Sequence, residues 1–148
     1  MQSIKAPNDE PPEFVSVFLA GGISNCPDWQ NEVTTALDEF PVTIFNPRRG
    51  VFPDELTAEE EQIRWEFEGL RSANLIAFWF PKETLNPITL FEFGAAMERS
   101  SPIIVGIDPK YARKVDLEIQ IKLRRPDIHI VCSLAEFVQA IKKSFGFL

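Results

Sequence analysis

The fold of this chain is decided by residues 74–96, which read NLIAFWFPKETLNPITLFEFGAA. The first seven are almost entirely apolar and end at Pro81, which is typical of a strand buried on both faces of a sheet. After a short loop we predict a helix over 89–99, with Glu92 in its first turn. A buried strand that leads through a loop into a helix is the unit from which parallel α/β sheets are built. Ligands of such sheets bind outside the carboxyl ends of the strands, where Glu92 is expected to lie.

Strand and helix patterns alternate along the rest of the chain. Four further apolar runs predict strands at 14–20, 42–45, 102–106 and 128–131. Apolar residues at helical spacing predict helices over 27–40, 57–70, 115–123 and 133–141. Two of these carry capping boxes, Thr57 to Glu60 and Ser133 to Glu136. Together the patterns predict a flavodoxin-like three-layer α/β sandwich with a five-stranded parallel sheet in the order 2-1-3-4-5. That order places the carboxyl ends of the first and third strands side by side at the topological switch point of the sheet, where ligands bind.

Length and composition bound the class of protein. The 148 residues are the size of one domain, which we expect over 13–148. Residues 1–12 hold three prolines and no apolar periodicity, so we predict a mobile tail there. The net charge of −7 disfavours nucleic acid and anionic membranes as partners. Two widely spaced cysteines, and the absence of a leader or a twenty-residue apolar span, predict a cytoplasmic protein.

Glu92 has two interpretations. With Thr89 it forms a capping box, in which its carboxylate would only bond the start of its own helix. Alternatively, the positive end of the helix dipole keeps a first-turn carboxylate ionised, as a nucleophile must be. Glu66 is also open, because it lies beside Ile63 and Leu70 at the edge of an apolar stripe, where rim residues and catalytic acids both occur.

Other candidates lie near the predicted carboxyl ends of strands. The Gly21-Gly22 turn is either a tight connection or a place where backbone N–H groups approach a ligand. Arg48 and Arg49 could meet an anion or pair with the acids at 59–61. Trp65, on the far side of its helix, indicates an oligomer contact or a pocket wall.

Taken together, these residues resemble the nucleoside 2′-deoxyribosyltransferase family. The matching segments are 17–23, 74–81 and Glu92-Phe93-Gly94, and the likeness spans most of 14–141. The resemblance implies a flavodoxin-like homo-oligomer whose sites are shared between subunits. It also implies transfer of a 2-deoxyribosyl group between nucleobases in nucleotide salvage, by double displacement through an ester on Glu92. The partners of such a protein would be 2′-deoxynucleosides and free nucleobases, and the reaction would need no metal or redox cofactor.

The resemblance assigns further site residues. Glu66 falls on the family's upstream helical acid, and Asn86 falls where the family has an acid before the nucleophile. Because an amide is no general acid at neutral pH, Glu66 is the better candidate to protonate the leaving base. Asp127 falls near an asparagine that reaches a neighbouring subunit's site, and the chain end at 145–148 is expected to approach such a site. The remaining expected substrate contacts are Phe18, Gly21, Gly22, Ile23 and Arg48, with Trp65, Trp79 and Phe91 stacking on the base.

Two alternatives stay open at this stage. A nucleoside or 5′-nucleotide N-glycoside hydrolase of the same fold would pass the sugar to water, with Arg48 or Arg49 holding a phosphate. A non-catalytic nucleotide-binding module would use the same crevice without turnover, and Glu92 would serve only as a helix cap.

Overall fold

The computed structural model describes residues 1–49 and 56–148. In these two ranges the chain forms six strands and five helices. The strands are β1 (Gln2–Lys5), β2 (Val15–Gly21), β3 (Val42–Asn46), β4 (Leu75–Phe80), β5 (Ile103–Ile107) and β6 (Ile130–Val131). The helices are α1 (Trp29–Ala36), α2 (Leu56–Ser72), α3 (Pro87–Met97), α4 (Lys114–Arg124) and α5 (Leu134–Ser144).

The strands form one parallel sheet in the order β1-β3-β2-β4-β5-β6. The α/β class and the flavodoxin-like arrangement are therefore confirmed. The five predicted strands, which are β2 to β6, have the predicted relative order. Because β2 pairs with β4 from Val17↔Leu75 to Gly21↔Trp79, their carboxyl ends lie side by side.

The sixth strand, β1, comes from the segment that was predicted to be a mobile tail, and that prediction is wrong for Gln2–Lys5. Gln2 pairs with Thr43 of β3, and Ile4 is 1% exposed. The Gln2 side chain also donates to Pro11 O at 3.2 Å and accepts from Glu13 N at 2.8 Å. One buried isoleucine in a four-residue edge strand is too short an apolar pattern for sequence periodicity to detect.

The two faces of the sheet carry different helices. Successive strand residues point to opposite faces, so Phe18 and Phe78 pack on one side while Leu19 and Trp79 pack on the other. The first side is covered by α2, α3 and α4, and the second by α1 and α5. This alternation decides which strand residues can face a ligand held beside α2 and α3.

A glycine sets the distance between α2 and the sheet. A Cβ on Gly69 would stand 2.6 Å from the Phe18 ring, closer than packed atoms approach. Without that Cβ, α2 lies directly on β2, and the residues one turn earlier on α2 stand above the carboxyl end of β2. Phe18 also packs against Trp65, with ring centroids 5.7 Å apart.

Several helix starts differ from the predictions. Helix α1 begins at Trp29 with Asp28 as its cap, so Pro27 precedes the helix. Helix α3 begins at Pro87, two residues before the predicted start, and α2 begins at Leu56, so Thr57 lies inside the helix. The Ser133 cap of α5 is confirmed, because its hydroxyl accepts from Glu136 N at 3.2 Å. Most of the loop predicted over 48–56 lies outside the described residues. Across the described ranges, no helix has both the length and the apolar character needed to cross a membrane.

Candidate active site

A cavity of about 760 Å³ opens at the carboxyl ends of β2 and β4. Its floor is formed by β2 and the Gly21-Gly22 turn, and its walls are formed by α2 and α3. Five polar residues of the two helices line it, namely Glu59, Gln62 and Glu66 of α2 and Thr89 and Glu92 of α3. The cavity therefore lies where a parallel sheet is expected to bind its ligand.

Glu92 reaches the cavity because of where α3 begins. The helix starts at Pro87 after Asn86, so Glu92 lies in the second turn, and the first turn contains no acid. The capping-box interpretation with Thr89 is wrong, and so is the prediction that the helix dipole holds a first-turn carboxylate. Proline at the first helical position is typical, since it lacks an N–H that would have no partner there.

Glu66 and Glu92 meet across the cavity and share a hydrogen bond. Burial, the negative charge of Glu66 and that hydrogen bond raise the pKa of Glu92 from 4.5 to about 8. Burial also raises the pKa of Glu66, although hydrogen bonds from Gln62 and Glu92 and the positive charge of Arg49 favour its ionised form. Two carboxyl groups in hydrogen-bond contact cannot both ionise easily, so at neutral pH the pair shares a proton that lies mainly on Glu92.

Gln62 is a cavity residue that the sequence analysis missed. Its Nε2 donates to Glu66 Oε1 at 2.7 Å and to Pro47 O at 2.9 Å. The side chain is 8% exposed, and its Oε1 has no hydrogen-bond partner among the described residues. Its spacing of four residues from Glu66 could have indicated this position, because residues i and i+4 share a helix face.

The structure brings seven of the predicted site residues to the cavity. Besides the two acids they are Phe18, Gly21, Gly22, Ile23 and Asn86. Gly22 and Asn86 come from the two adjacent strand ends, and a Cβ on Gly22 would collide with the Asn86 side chain. The Gly22 carbonyl accepts from Trp29 Nε1 at 3.0 Å and Gln30 Nε2 at 3.2 Å, which fixes the turn.

The three predicted stacking aromatics do not line the cavity within one chain. Trp79 is 5% exposed and packs against Phe137, because strand alternation points it to the opposite face of the sheet. Trp65 packs on Phe18 and Phe45, and its Nε1 donates to Asn8 O at 2.8 Å. Phe91 is 78% exposed on the outer side of α3, since its neighbour Glu92 takes the inward position.

Two charged candidates also lie away from the cavity. Arg48 forms an ion pair with Asp28 at 3.2 Å and donates to Gln30 Oε1 and Pro27 O, so its guanidinium closes the turn after β2. Asp127 pairs with Arg125 at 2.8 Å. It precedes β6 and so lies at the amino ends of the strands, whereas the cavity lies at their carboxyl ends. Its predicted contact with a neighbouring subunit's site stays a prediction.

Arg49 follows one of the two interpretations given to the arginine pair. It donates to Glu61 Oε2 at 3.0 Å, which is the predicted pairing with an acid of α2. Its side chain is 5% exposed, so its positive charge acts at short range on Glu66.

The fold and the paired acids define a flavodoxin-like α/β protein with a carboxyl pair in its ligand crevice. The chain belongs to the family described as nucleoside 2-deoxyribosyltransferase like, whose family model matches residues 15–111. That range runs from β2 past β5 and contains Gln62, Glu66 and Glu92.

A crystal structure of a conserved protein from Enterococcus faecalis V583 has a similar fold. The TM-score is 0.60 at 10% sequence identity, over 88% of this chain and 99% of that chain. Similarity at this identity concerns the fold alone. No curated protein matches the chain significantly.

We predict that the acid pair makes stability depend on pH. In the folded protein Glu92 keeps its proton up to a pKa of about 8, whereas the unfolded chain releases it near 4.5. The folded state therefore binds more protons between these values, and stability falls as pH rises through that window. Between pH 5 and pH 8, Glu92→Gln should reduce the fall in the free energy of unfolding by on the order of 3 kcal/mol. Urea unfolding at the two pH values measures this difference.

The matched control is Glu98→Gln, which replaces an exposed acid at the end of the same helix. It should leave the pH dependence unchanged. A Glu92→Gln protein with the same loss of stability as the native chain would contradict the shared-proton assignment.

Proposed function

We propose that the protein transfers a 2-deoxyribosyl group between nucleobases by double displacement, with Glu92 as the nucleophile. The observation that carries the proposal is the carboxyl pair, which offers one ionised oxygen and one proton in a half-buried crevice. Cleavage of a glycosidic bond with retention needs both a nucleophilic carboxylate and an acid. Membership of a nucleoside 2-deoxyribosyltransferase like family supports the choice of nucleoside as substrate.

The hydrogen bond between Glu92 and Glu66 supplies a route for the proton. At rest the proton lies mainly on Glu92, but attack requires Glu92 as a carboxylate. Positive charge that develops at C1′ favours ionised Glu92, and the proton then passes along the hydrogen bond to Glu66. Glu66 gives it to the departing base nitrogen as the C1′–N bond breaks and the bond between C1′ and Glu92 forms. In the second step the incoming base attacks C1′, the ester bond between C1′ and Glu92 breaks to release the Glu92 carboxylate, and the proton of the base passes to Glu66.

Several observations favour this proposal over the two alternatives. Glu92 does not cap α3. The start of this helix therefore gives no support to the binding-module alternative, in which Glu92 serves only as a cap. Arg48 and Arg49 are both engaged with protein acids, so neither supports a phosphate-holding hydrolase. Separately, two free cysteines support a cytoplasmic setting for the protein.

We also propose that a second copy of the chain covers the rim of the cavity. Ile63 and Ile88 line the cavity and yet are 59% and 66% exposed, and the exposed apolar surface continues onto Phe67 and Phe91. An exposed apolar area of this kind is typical of an interface. Its continuity with the cavity supports the expectation that sites are shared between subunits.

Glu92→Ala should abolish base exchange, because no carboxylate remains to form the ester. The assay mixes a 2′-deoxynucleoside with a second free base and follows the new nucleoside by chromatography. Glu98→Ala, on the same helix and exposed, should retain full exchange. Full exchange by Glu92→Ala would reject the nucleophile, and release of free deoxyribose without exchange by the native chain would identify a hydrolase.

Phe91→Asp should shift the chain from an oligomer toward a monomer in sedimentation analysis, because a charge replaces an apolar contact. The folded monomer should lose little stability, since Phe91 is exposed. Leu123→Asp is the matched control, because Leu123 is 73% exposed but lies at the far end of α4. A native chain that sediments as a monomer would contradict the proposed interface.

A further inference from the structure

We propose that Tyr111 is a positioning residue of this site, because its hydroxyl holds the peptide between Leu85 and Asn86 so that the Asn86 side chain faces the bound ligand. This role rests on the proposed function, since it concerns the ligand of the same cavity. Tyr111 does not itself line the cavity. It would therefore act on the reaction only through Asn86.

The backbone conformation of Asn86 needs support from outside its own loop. Its φ of 53° is left-handed, which a residue with a side chain adopts at a cost and keeps only when its surroundings hold it there. Within the loop, Asn86 makes two long hydrogen bonds, from N to Thr84 Oγ1 at 3.5 Å and from Nδ2 to Thr84 O at 3.4 Å. The Leu85 side chain is 51% exposed, so packing restrains it little. A stronger restraint has to come from another part of the chain.

Tyr111, in the connection between β5 and α4, supplies that restraint. Its hydroxyl donates to Leu85 O at 2.7 Å, a short hydrogen bond between residues 26 positions apart. The tyrosine is itself fixed, since it is 3% exposed and its ring packs on Phe80 with centroids 5.3 Å apart. Its backbone N donates to Asp108 O at 2.9 Å, and Asp108 N donates to Phe80 O at 3.0 Å. The end of β4 therefore anchors the hydroxyl that holds the loop after β4.

The restrained residue, Asn86, has two connections to the site. Its side chain lines the cavity, is 6% exposed and lies against Gly22 at the end of β2. An amide group offers both donors and an acceptor, so it can bind a base edge or a sugar hydroxyl. Its backbone O accepts from Leu90 N at 3.0 Å, the hydrogen bond that begins α3. A displaced Asn86 would therefore lose its ligand contact and loosen the first turn of the helix that carries Glu92.

Three variants separate a positioning role from a purely structural one. Tyr111→Phe removes the hydroxyl and keeps the ring that packs on Phe80. Ser133→Ala is the matched control, because it removes a hydroxyl that accepts from Glu136 N at the start of α5, on the other face of the sheet. Both variants lose one hydrogen bond, so their free energies of unfolding should fall by similar amounts. Asn86→Gly removes the amide group and keeps a left-handed backbone, which glycine adopts without strain.

The first measurement is nucleoside binding with the ester-forming step removed. Calorimetric titrations of full-length Glu92→Gln protein use 2′-deoxyadenosine, 2′-deoxyguanosine, 2′-deoxycytidine and thymidine. Adding Tyr111→Phe should weaken binding about 5-fold or more, whereas adding Ser133→Ala should leave binding unchanged. Asn86→Gly should weaken binding at least as much as Tyr111→Phe. Once Asn86→Gly is present, Tyr111→Phe should cause no further loss, because a residue that acts through another has no separate effect.

The second measurement needs no ligand. Hydrogen exchange of the Leu90 amide, followed by NMR, reports whether the Asn86 carbonyl stays in place at the start of α3. Tyr111→Phe should speed this exchange about 5-fold or more, because the preceding peptide has lost its anchor. Ser133→Ala should leave the exchange rate unchanged, since it loosens a helix on the opposite face.

Three results would overturn the assignment of Tyr111: an unchanged Leu90 exchange rate in Tyr111→Phe, unchanged nucleoside binding in that variant, or losses from Tyr111→Phe and Asn86→Gly that simply add. The first result applies whether or not a nucleoside binds. If both measurements respond as expected but the native chain shows no base exchange, the transferase proposal fails while the role of Tyr111 stands.

Discussion

The hydrogen bond between Glu66 and Glu92 is the interaction on which the account depends. Each carboxyl group is half-buried, so each alone would resist ionisation, and together they hold a single proton. Burial and the neighbouring charge thereby produce an acid and a base from two residues of the same type. Gln62 and Arg49 favour ionisation at Glu66, which leaves the proton mainly on Glu92 until positive charge appears beside it.

The fold brings the pair together through backbone geometry. Strands β2 and β4 are adjacent and parallel, so the turn after one and the loop after the other meet at one edge of the sheet. Helix α2 can approach β2 because Gly69 has no Cβ to strike Phe18. Helix α3 begins at Pro87, and that start turns Glu92 inward. A shift of either helix by a few ångströms would separate the two carboxyl groups.

The sequence predicts the parts of this structure that depend on periodicity. The order of β2 to β6 and both cavity acids follow from apolar strands, helical spacing and family resemblance. Trp79 was misplaced because strand alternation sends it to the opposite face of the sheet, and β1 was missed because four edge residues carry little apolar signal. The pairing of Glu66 with Glu92 and the unpartnered oxygen of Gln62 depend on contacts between distant segments, which spacing along one helix does not reveal.

The most direct test of the central claim is the mass of the Glu92 peptide after reaction with a slow substrate. A nucleoside with fluorine at C2′ destabilises the oxocarbenium-like states of both steps and allows a sugar ester to accumulate. The account predicts that the peptide containing Glu92 gains the mass of one fluorinated sugar, and that a free base added afterwards removes it. A sugar found on Glu66 instead, or no adduct while base exchange proceeds, would contradict the account.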